Sequence, residues 1–196
     1  MWKRLFDIVF SFLGLIILLP FLLFISLLIL FTSKGGIFYL QSRVGKNSKD
    51  FKIYKFRTMK PNSDRIGLLT VGNKDNRITK VGFFLRKYKL DELPQLINVL
   101  IGDMSLVGPR PEVRKYVDLY NEEQLKVLRV KPGITDYASI KYSNENEILA
   151  KSLDPEKSYV EHIMPLKLYL NLKYIDEMSI KTDLKIIRDT IFKILK

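Results

Sequence analysis

Apolar residues crowd one end of this chain. From Leu5 to Phe31 nearly every position is apolar, broken by Asp7 and a few small polar residues. Cations flank the run, with Lys3 and Arg4 before it and Lys34, Arg43, Lys46 and Lys49 after it. As a helix, roughly 27 residues would reach about 40 Å, more than the ~30 Å hydrocarbon core of a bilayer. The run is too long for a cleaved signal peptide, and no Ala-x-Ala-like site follows it. Pro20 falls near the middle, where it removes a backbone donor and kinks a helix. A straight span sends one basic flank outside, against the positive-inside bias. A helix bent at Pro20 that leaves on the face it entered satisfies both flanks. Pattern alone leaves both readings open, and Asp7, near the interface beside Lys3 and Arg4, favours the bent one.

Beyond Gly35-Gly36 the period changes. "IFYLQSRV" and "FKIYKFRTM", joined by "GKNSKD", predict a β-hairpin. Period two sets Lys55 and Arg57 on the face that carries Phe51, Ile53 and Met59. The polar stretch of residues 60–82 reads as a loop, and residues 82–89 as a short helix. Leu93, Leu96, Ile97 and Leu100 recur at helical spacing and predict a helix from about Asp91, with Pro94 in its first turn. Residues 112–120 and 122–129 are helical in pattern, and "KPGIT" (131–135) reads as a turn. Asp154-Pro155 opens a helix to about Tyr174, disturbed at Pro165. The tail is amphipathic, with Leu184, Ile187, Ile191 and Leu195 on one face. It predicts a helix at a membrane interface or one packed on the protein's own core. The fold class is α+β: an N-terminal membrane helix, a β-hairpin and a small mixed α/β unit.

Composition narrows the chemistry. At 196 residues the chain suggests one domain with an appendage. It has no cysteine and one histidine, His162, which excludes thiolate chemistry and all but excludes a histidine triad or metal cluster. Transfer or hydrolysis then falls to carboxylates, hydroxyls or lysine. The net charge of +12 points to a polyanionic partner, and the apolar N-terminus favours anionic lipid or a phosphorylated substrate over nucleic acid. No recognition-helix or zinc module supports nucleic-acid binding.

One stretch concentrates the remaining candidates, "KLDELPQLINVLIGDMSLVGPRPE" (89–112). The pair Asp91-Glu92 has an ordinary explanation as a helix cap with favourable dipole contact, worth about 1 kcal/mol. It also has a chemical one. A helix start that accepts a carboxylate accepts a phosphate. Arg110, restrained between Pro109 and Pro111, is preorganised for bidentate contact with an oxyanion. A carboxylate attacking phosphorus is known chemistry, and a divalent cation with oxygen ligands, Mg²⁺, would offset the charge.

Residues 2–31, "FKIYKFRTM", "RITKVGFFLRKYKLDELPQLINVLIGDMSLVGPRP" and "KPGIT" together resemble the bacterial sugar transferases known as monotopic phosphoglycosyl transferases, in their small single-domain form. The resemblance covers nearly the whole chain. It implies a re-entrant membrane helix over residues 1–34 and a catalytic domain with interfacial amphipathic helices over 35–196, on the cytoplasmic face of the bacterial inner membrane. It implies transfer of a sugar 1-phosphate from a UDP-sugar to polyprenol phosphate, undecaprenyl phosphate being the expected acceptor, with release of UMP. This would be the first membrane step of a bacterial glycan pathway. Asp91 would be the nucleophile and a ligand of Mg²⁺, with Glu92 as acid/base or orienting group. Arg110 would hold phosphate, with Lys55, Arg57, Arg86 and Glu112 as further substrate-binding residues. Anionic lipid, a second copy of the chain and downstream glycosyltransferases are the expected partners. Two departures stand out. Leu19, where the family commonly has serine, precedes Pro20, and "DYASIKYSNENE" replaces the commoner Gly-Trp-Ala-Gln continuation after "PGIT".

Two other readings remain at this stage. A glycosyltransferase that moves sugar without phosphate would release UDP and would be expected to carry an Asp-x-Asp, which the chain lacks. A membrane-tethered scaffold would tolerate Asp91→Asn.

Overall fold

The computed structural model describes residues 2–61, 63 and 75–195, so most of the expected polar loop at 60–82 lies outside the described residues. The apolar segment is helix α1, Trp2–Thr32, helical through Pro20. Strands β1, Phe38–Val44, and β2, Asp50–Phe56, form the expected antiparallel hairpin, with Phe38 opposite Phe56 and Val44 opposite Asp50. Helix α2 spans Lys80–Lys87, capped by Thr79, whose hydroxyl accepts from the Gly82 N–H. It packs so closely that a Cβ at Gly82 would fall 2.1 Å from the Thr58 carbonyl oxygen.

The helix expected from Asp91 starts later. Leu90–Glu92 is a single 3₁₀ turn, and α3 runs Gln95–Ile101. Pro94 explains the break: it has no N–H to give, so regular helix begins only after it. A second correction concerns "KPGIT". Gly133–Thr135 is strand β4, parallel to β3, Ser105–Val107. A Cβ on Gly133 would sit 2.0 Å from the Gly108 nitrogen, so the two backbones meet only because both residues are glycine. The segments at 112–120 and 122–129 shrink to α4, Arg114–Val117, and a 3₁₀ stretch, Gln124–Arg129. Short helices α5, Tyr137–Lys141, and α6, Glu145–Ala150, follow. Helix α7, Pro155–Ser158, continues through a π-helical stretch, Tyr159–Ile163, into α8, Met164–Asp176, so the expected disturbance falls just before Pro165. The chain closes with α9, Ile180–Leu195.

Both ends of α1 dock on the same body. Arg4 donates to the Val99 and Leu100 carbonyls at the end of α3, where a cation complements the helix dipole. Asp7 Oδ1 accepts from the Ser105 hydroxyl and the Leu106 N–H, both at 3.0 Å. At the other end Ile25 and Ile29 are buried with Phe56 and Leu85. On α9 the buried face is Asp183 and Ile186. Of the predicted apolar face, Ile187 packs against the cluster of Val107, Tyr174 and Ile186, whereas Leu184, Ile191 and Leu195 are about half exposed or more.

Candidate active site

The 3₁₀ turn at Leu90–Glu92 follows Lys89, a non-glycine residue at φ 56°. That left-handed residue reverses the chain out of α2, and Asp91 is then buried, with 8% of its surface exposed. Neither adjacent helix is capped by a side chain here, so the capping role open to Asp91 in the sequence is not the one it plays. Among the described residues its carboxylate has no hydrogen bond or salt bridge.

Glu92 is held on every side. Arg110 gives both terminal nitrogens to its two oxygens, one of them at 3.0 Å, and Lys55 Nζ reaches Oε1 at 3.3 Å. Arg110 is itself fixed, since its backbone N–H donates to Asp136 Oδ2 at 3.0 Å. The guanidinium expected to hold phosphate is therefore already forked onto a carboxylate. Arg57 donates to the Gly36 and Phe38 carbonyls, each at 3.0 Å, and clamps the chain as it leaves α1. Glu112 accepts from the Tyr159 hydroxyl at 2.9 Å and faces Arg43 at 3.7 Å. Arg86 lies on α2 near enough to Asp91 for its charge to favour the carboxylate form.

All seven residues singled out from the sequence, Asp91, Glu92, Lys55, Arg57, Arg86, Arg110 and Glu112, line one cleft of about 1490 Å³. Its electrostatics separate the two adjacent acids. Burial, then the charge of Glu92, raises the Asp91 pKa against the pull of Lys55, Arg86 and Lys89. Burial also opposes the charged form of Glu92, but Arg110 and Lys55 outweigh it and hold that carboxyl well below its usual range. Burial lowers the Lys55 ammonium to about 8, only partly countered by Glu92.

A profile described as bacterial sugar transferase matches residues 1–196. The chain belongs to the bacterial sugar transferase family. It is 38% identical over 98% of its length to a UDP-N-acetylgalactosamine-undecaprenyl-phosphate N-acetylgalactosaminephosphotransferase of Aeromonas hydrophila, covering 43% of that protein. It is 38% identical over 97% of its length to a UDP-glucose:undecaprenyl-phosphate glucose-1-phosphate transferase of Escherichia coli, covering 39% of it. It thus spans about two fifths of these relatives. The exopolysaccharide production protein PSS of Rhizobium leguminosarum is nearer in size; the chain is 38% identical to it and covers 92% of it.

Sequence reasoning missed two positioning residues. Asn98, fully buried on α3, accepts from the Tyr54 N–H at 2.9 Å and donates to the Lys52 carbonyl at 2.8 Å. It ties β2, which carries Lys55, to α3, which follows Asp91. Asp136, also fully buried, caps α5 through the Ser139 N–H and anchors Arg110. The available signal was an asparagine within the apolar run Leu96–Leu100. No group of three or more His, Cys, Asp or Glu able to hold a metal occurs among the described residues.

Proposed function

We propose that this protein transfers a sugar 1-phosphate from a UDP-sugar to polyprenol phosphate, with undecaprenyl phosphate the expected acceptor, as the first membrane step of a glycan pathway. The observation that carries the reading is the buried, partnerless carboxylate of Asp91 at the base of a cationic cleft. An Asp91 oxygen attacks the sugar-proximal phosphorus of the donor. The P–O bond to UMP breaks, UMP leaves with the bonding electrons, and an aspartyl phosphosugar remains. An oxygen of polyprenol phosphate then attacks the same phosphorus and breaks its bond to Asp91. The carboxylate is regenerated and a polyprenyl diphosphate sugar is released. A buried carboxylate that is not already hydrogen-bonded loses little on attack. Glu92, kept ionised by Arg110 and Lys55, fits an orienting role and is a poor proton donor. Lys55, Arg57 and Arg86, with the Arg110 N–H groups not used by Glu92, supply cations for the diphosphate.

The residues also fit Mg²⁺. Both oxygens of Glu92 are engaged, which leaves Asp91 as the free carboxylate beside the substrate phosphates, and Mg²⁺ commonly binds through one or two carboxylates plus phosphate oxygens. When bound it supplies charge neutralisation at the diphosphate.

We further propose residues 1–34 as a re-entrant membrane helix and 35–196 as a catalytic domain on the cytoplasmic face of the inner membrane. The docking of both α1 ends on one body supports this, because a straight span carries one end across the bilayer. Helix α9 fits an anionic interface, with exposed Leu184, Ile191 and Phe192 among Lys185, Arg188 and Lys193. Phe10, Gly14, Leu96, Ile187 and Ile191, all lining the cleft, make an apolar approach suited to a prenyl chain.

The test is product identity. Purified protein with Mg²⁺, polyprenol phosphate and a panel of UDP-sugars should release UMP, and intact mass should show a sugar-phosphate adduct that Asp91→Asn abolishes. Release of UDP would overturn the covalent mechanism. Topology can be read separately, since the chain has no cysteine. Single cysteines at Trp2 and Lys34 should label from the same side of sealed vesicles.

A further inference from the structure

The cleft has two unlike halves. Around Asp91 it carries more cations than carboxylates, with Lys55, Arg57, Arg86, Lys89 and Arg110 against Asp91 and Glu92. The wall running from the hairpin past α5 and α6 to α8 is balanced. Arg43 faces Glu112 at 3.7 Å, and Lys167 donates to Glu145 at 2.8 Å. Tyr159 joins the pairs, giving its hydroxyl to Glu112 at 2.9 Å and carrying the Lys167 ammonium 5.2 Å from its ring centre. Ser139 lines the same wall, and its hydroxyl, shut off from solvent, has no hydrogen-bond partner among the described residues.

A ligand portion meeting the first half must be anionic, and one meeting the second must be neutral and rich in hydrogen bonds. We propose that Glu112, Tyr159, Lys167, Glu145 and Ser139 form the subsite that holds the sugar ring of the donor and selects a neutral pyranose. The inference rests on the sugar 1-phosphate transfer reading. In that reaction the sugar stays bound through both displacements, whereas UMP must leave and give its place to the lipid phosphate. Side chains locked in ion pairs suit the portion that stays. Carboxylate oxygens bonded to one partner still have lone pairs for sugar hydroxyls, and a wall already balanced in charge gives no attraction to a uronic acid. A site built to hydrogen-bond a substrate group discriminates strongly against analogues that lack it.

The experiment compares kcat/KM for UMP release across UDP-glucose, UDP-galactose, their N-acetylated 2-amino counterparts and UDP-glucuronate. It is run on the wild type, Glu145→Gln and Ser139→Ala, with UMP product inhibition measured in parallel. UDP-glucuronate should be at least tenfold poorer than the best neutral donor. Glu145→Gln should lower kcat/KM for the preferred sugar tenfold or more and change the order of preference, while UMP inhibition moves less than twofold. Ser139→Ala removes only an unpartnered hydroxyl and cannot unfold the protein through a lost contact. It should cost severalfold on the preferred sugar. An unchanged order in both variants, or weakened UMP inhibition, overturns the sugar subsite and leaves phosphosugar transfer standing. Wild-type protein that releases no UMP from any donor overturns the transfer reading and this inference with it.

Discussion

Asp183 and Asp91 are both buried aspartates with cations nearby, and their surroundings are opposite. Asp183, with no surface exposed, accepts from Lys3 at 2.5 Å and from the Tyr174 hydroxyl at 2.7 Å. Asp7 and Asp136 are satisfied in the same manner, by Ser105 and Leu106 and by Arg110 and Ser139. Asp91 alone of the buried aspartates has no such partner among the described residues. A buried charge without partners weakens a fold, whereas a buried charge with them ties elements together. The difference marks Asp183 as the fastener between α1 and α9, and leaves Asp91 as the buried acid available for the nucleophilic role proposed above.

The largest effect is expected at Asp91. Asp91→Asn should lose covalent capture and turnover entirely, yet melt higher. The raised native pKa means that the folded protein binds more protons than the unfolded chain, so stability falls as pH rises through that pKa. At neutral pH the cost is present, and a neutral amide removes it. A gain of about 1 kcal/mol, or about 2–4 °C, is expected in a thermal melt. A lower melting temperature would return Asp91 to a structural role.

Asp183→Asn should do the reverse. It leaves Lys3 facing an amide, and a loss of about 2 kcal/mol is expected, below the usual figure for a buried pair because Lys3 is 28% exposed on its side chain. Covalent adduct per folded molecule should stay the same, and a matching loss of adduct would erase the contrast between the two aspartates.

Asn98→Leu is expected to cost a similar or smaller amount, about 1–2 kcal/mol, by leaving the Tyr54 N–H and Lys52 carbonyl unpaired. Because it loosens β2, which carries Lys55, against α3, KM for the donor should rise. An unchanged donor KM would place Asn98 outside the positioning of Lys55.

The smallest effect is a pH trend at Lys55. Its ammonium titrates at about 8 in the folded protein against 10.5 in an unfolded chain, so the unfolded state binds the extra proton between these values and stability rises with pH there. Binding of a diphosphate needs the charge and runs the other way, weakening above about pH 8. Lys55→Arg should move that limb to higher pH, and calorimetric titration of UDP at two pH values would detect it.

Legibility in the sequence followed the range of the interactions. The hairpin, α1, α2 and α9 were readable because period and length are local properties. The 3₁₀ turn before α3 was misread because helical spacing of Leu93, Leu96 and Ile97 survives a proline that delays the helix itself. Strand β4 was misread as a turn because three residues form a strand there only through β3, which lies more than twenty residues away. Four of the candidate residues, Asp91, Glu92, Arg110 and Glu112, stand in one dense motif, with Lys55, Arg57 and Arg86 outside it, and the fork of Arg110 onto Glu92 is not legible there. A rigid guanidinium between prolines looks the same whether it awaits a phosphate or holds a carboxylate.

By itself the sequence determined the length and apolarity of α1, the absence of thiol and the near-absence of imidazole chemistry, and the adjacent pair of acids, Asp91 and Glu92. Only the tertiary structure decided which acid is which. Two neighbouring carboxylates differ by one position in the chain, and their chemistry diverges because Arg110 and Lys55, from distant segments, surround one and leave the other unpaired. Partners brought together across the fold set the electrostatics of a buried group, and no local pattern records them.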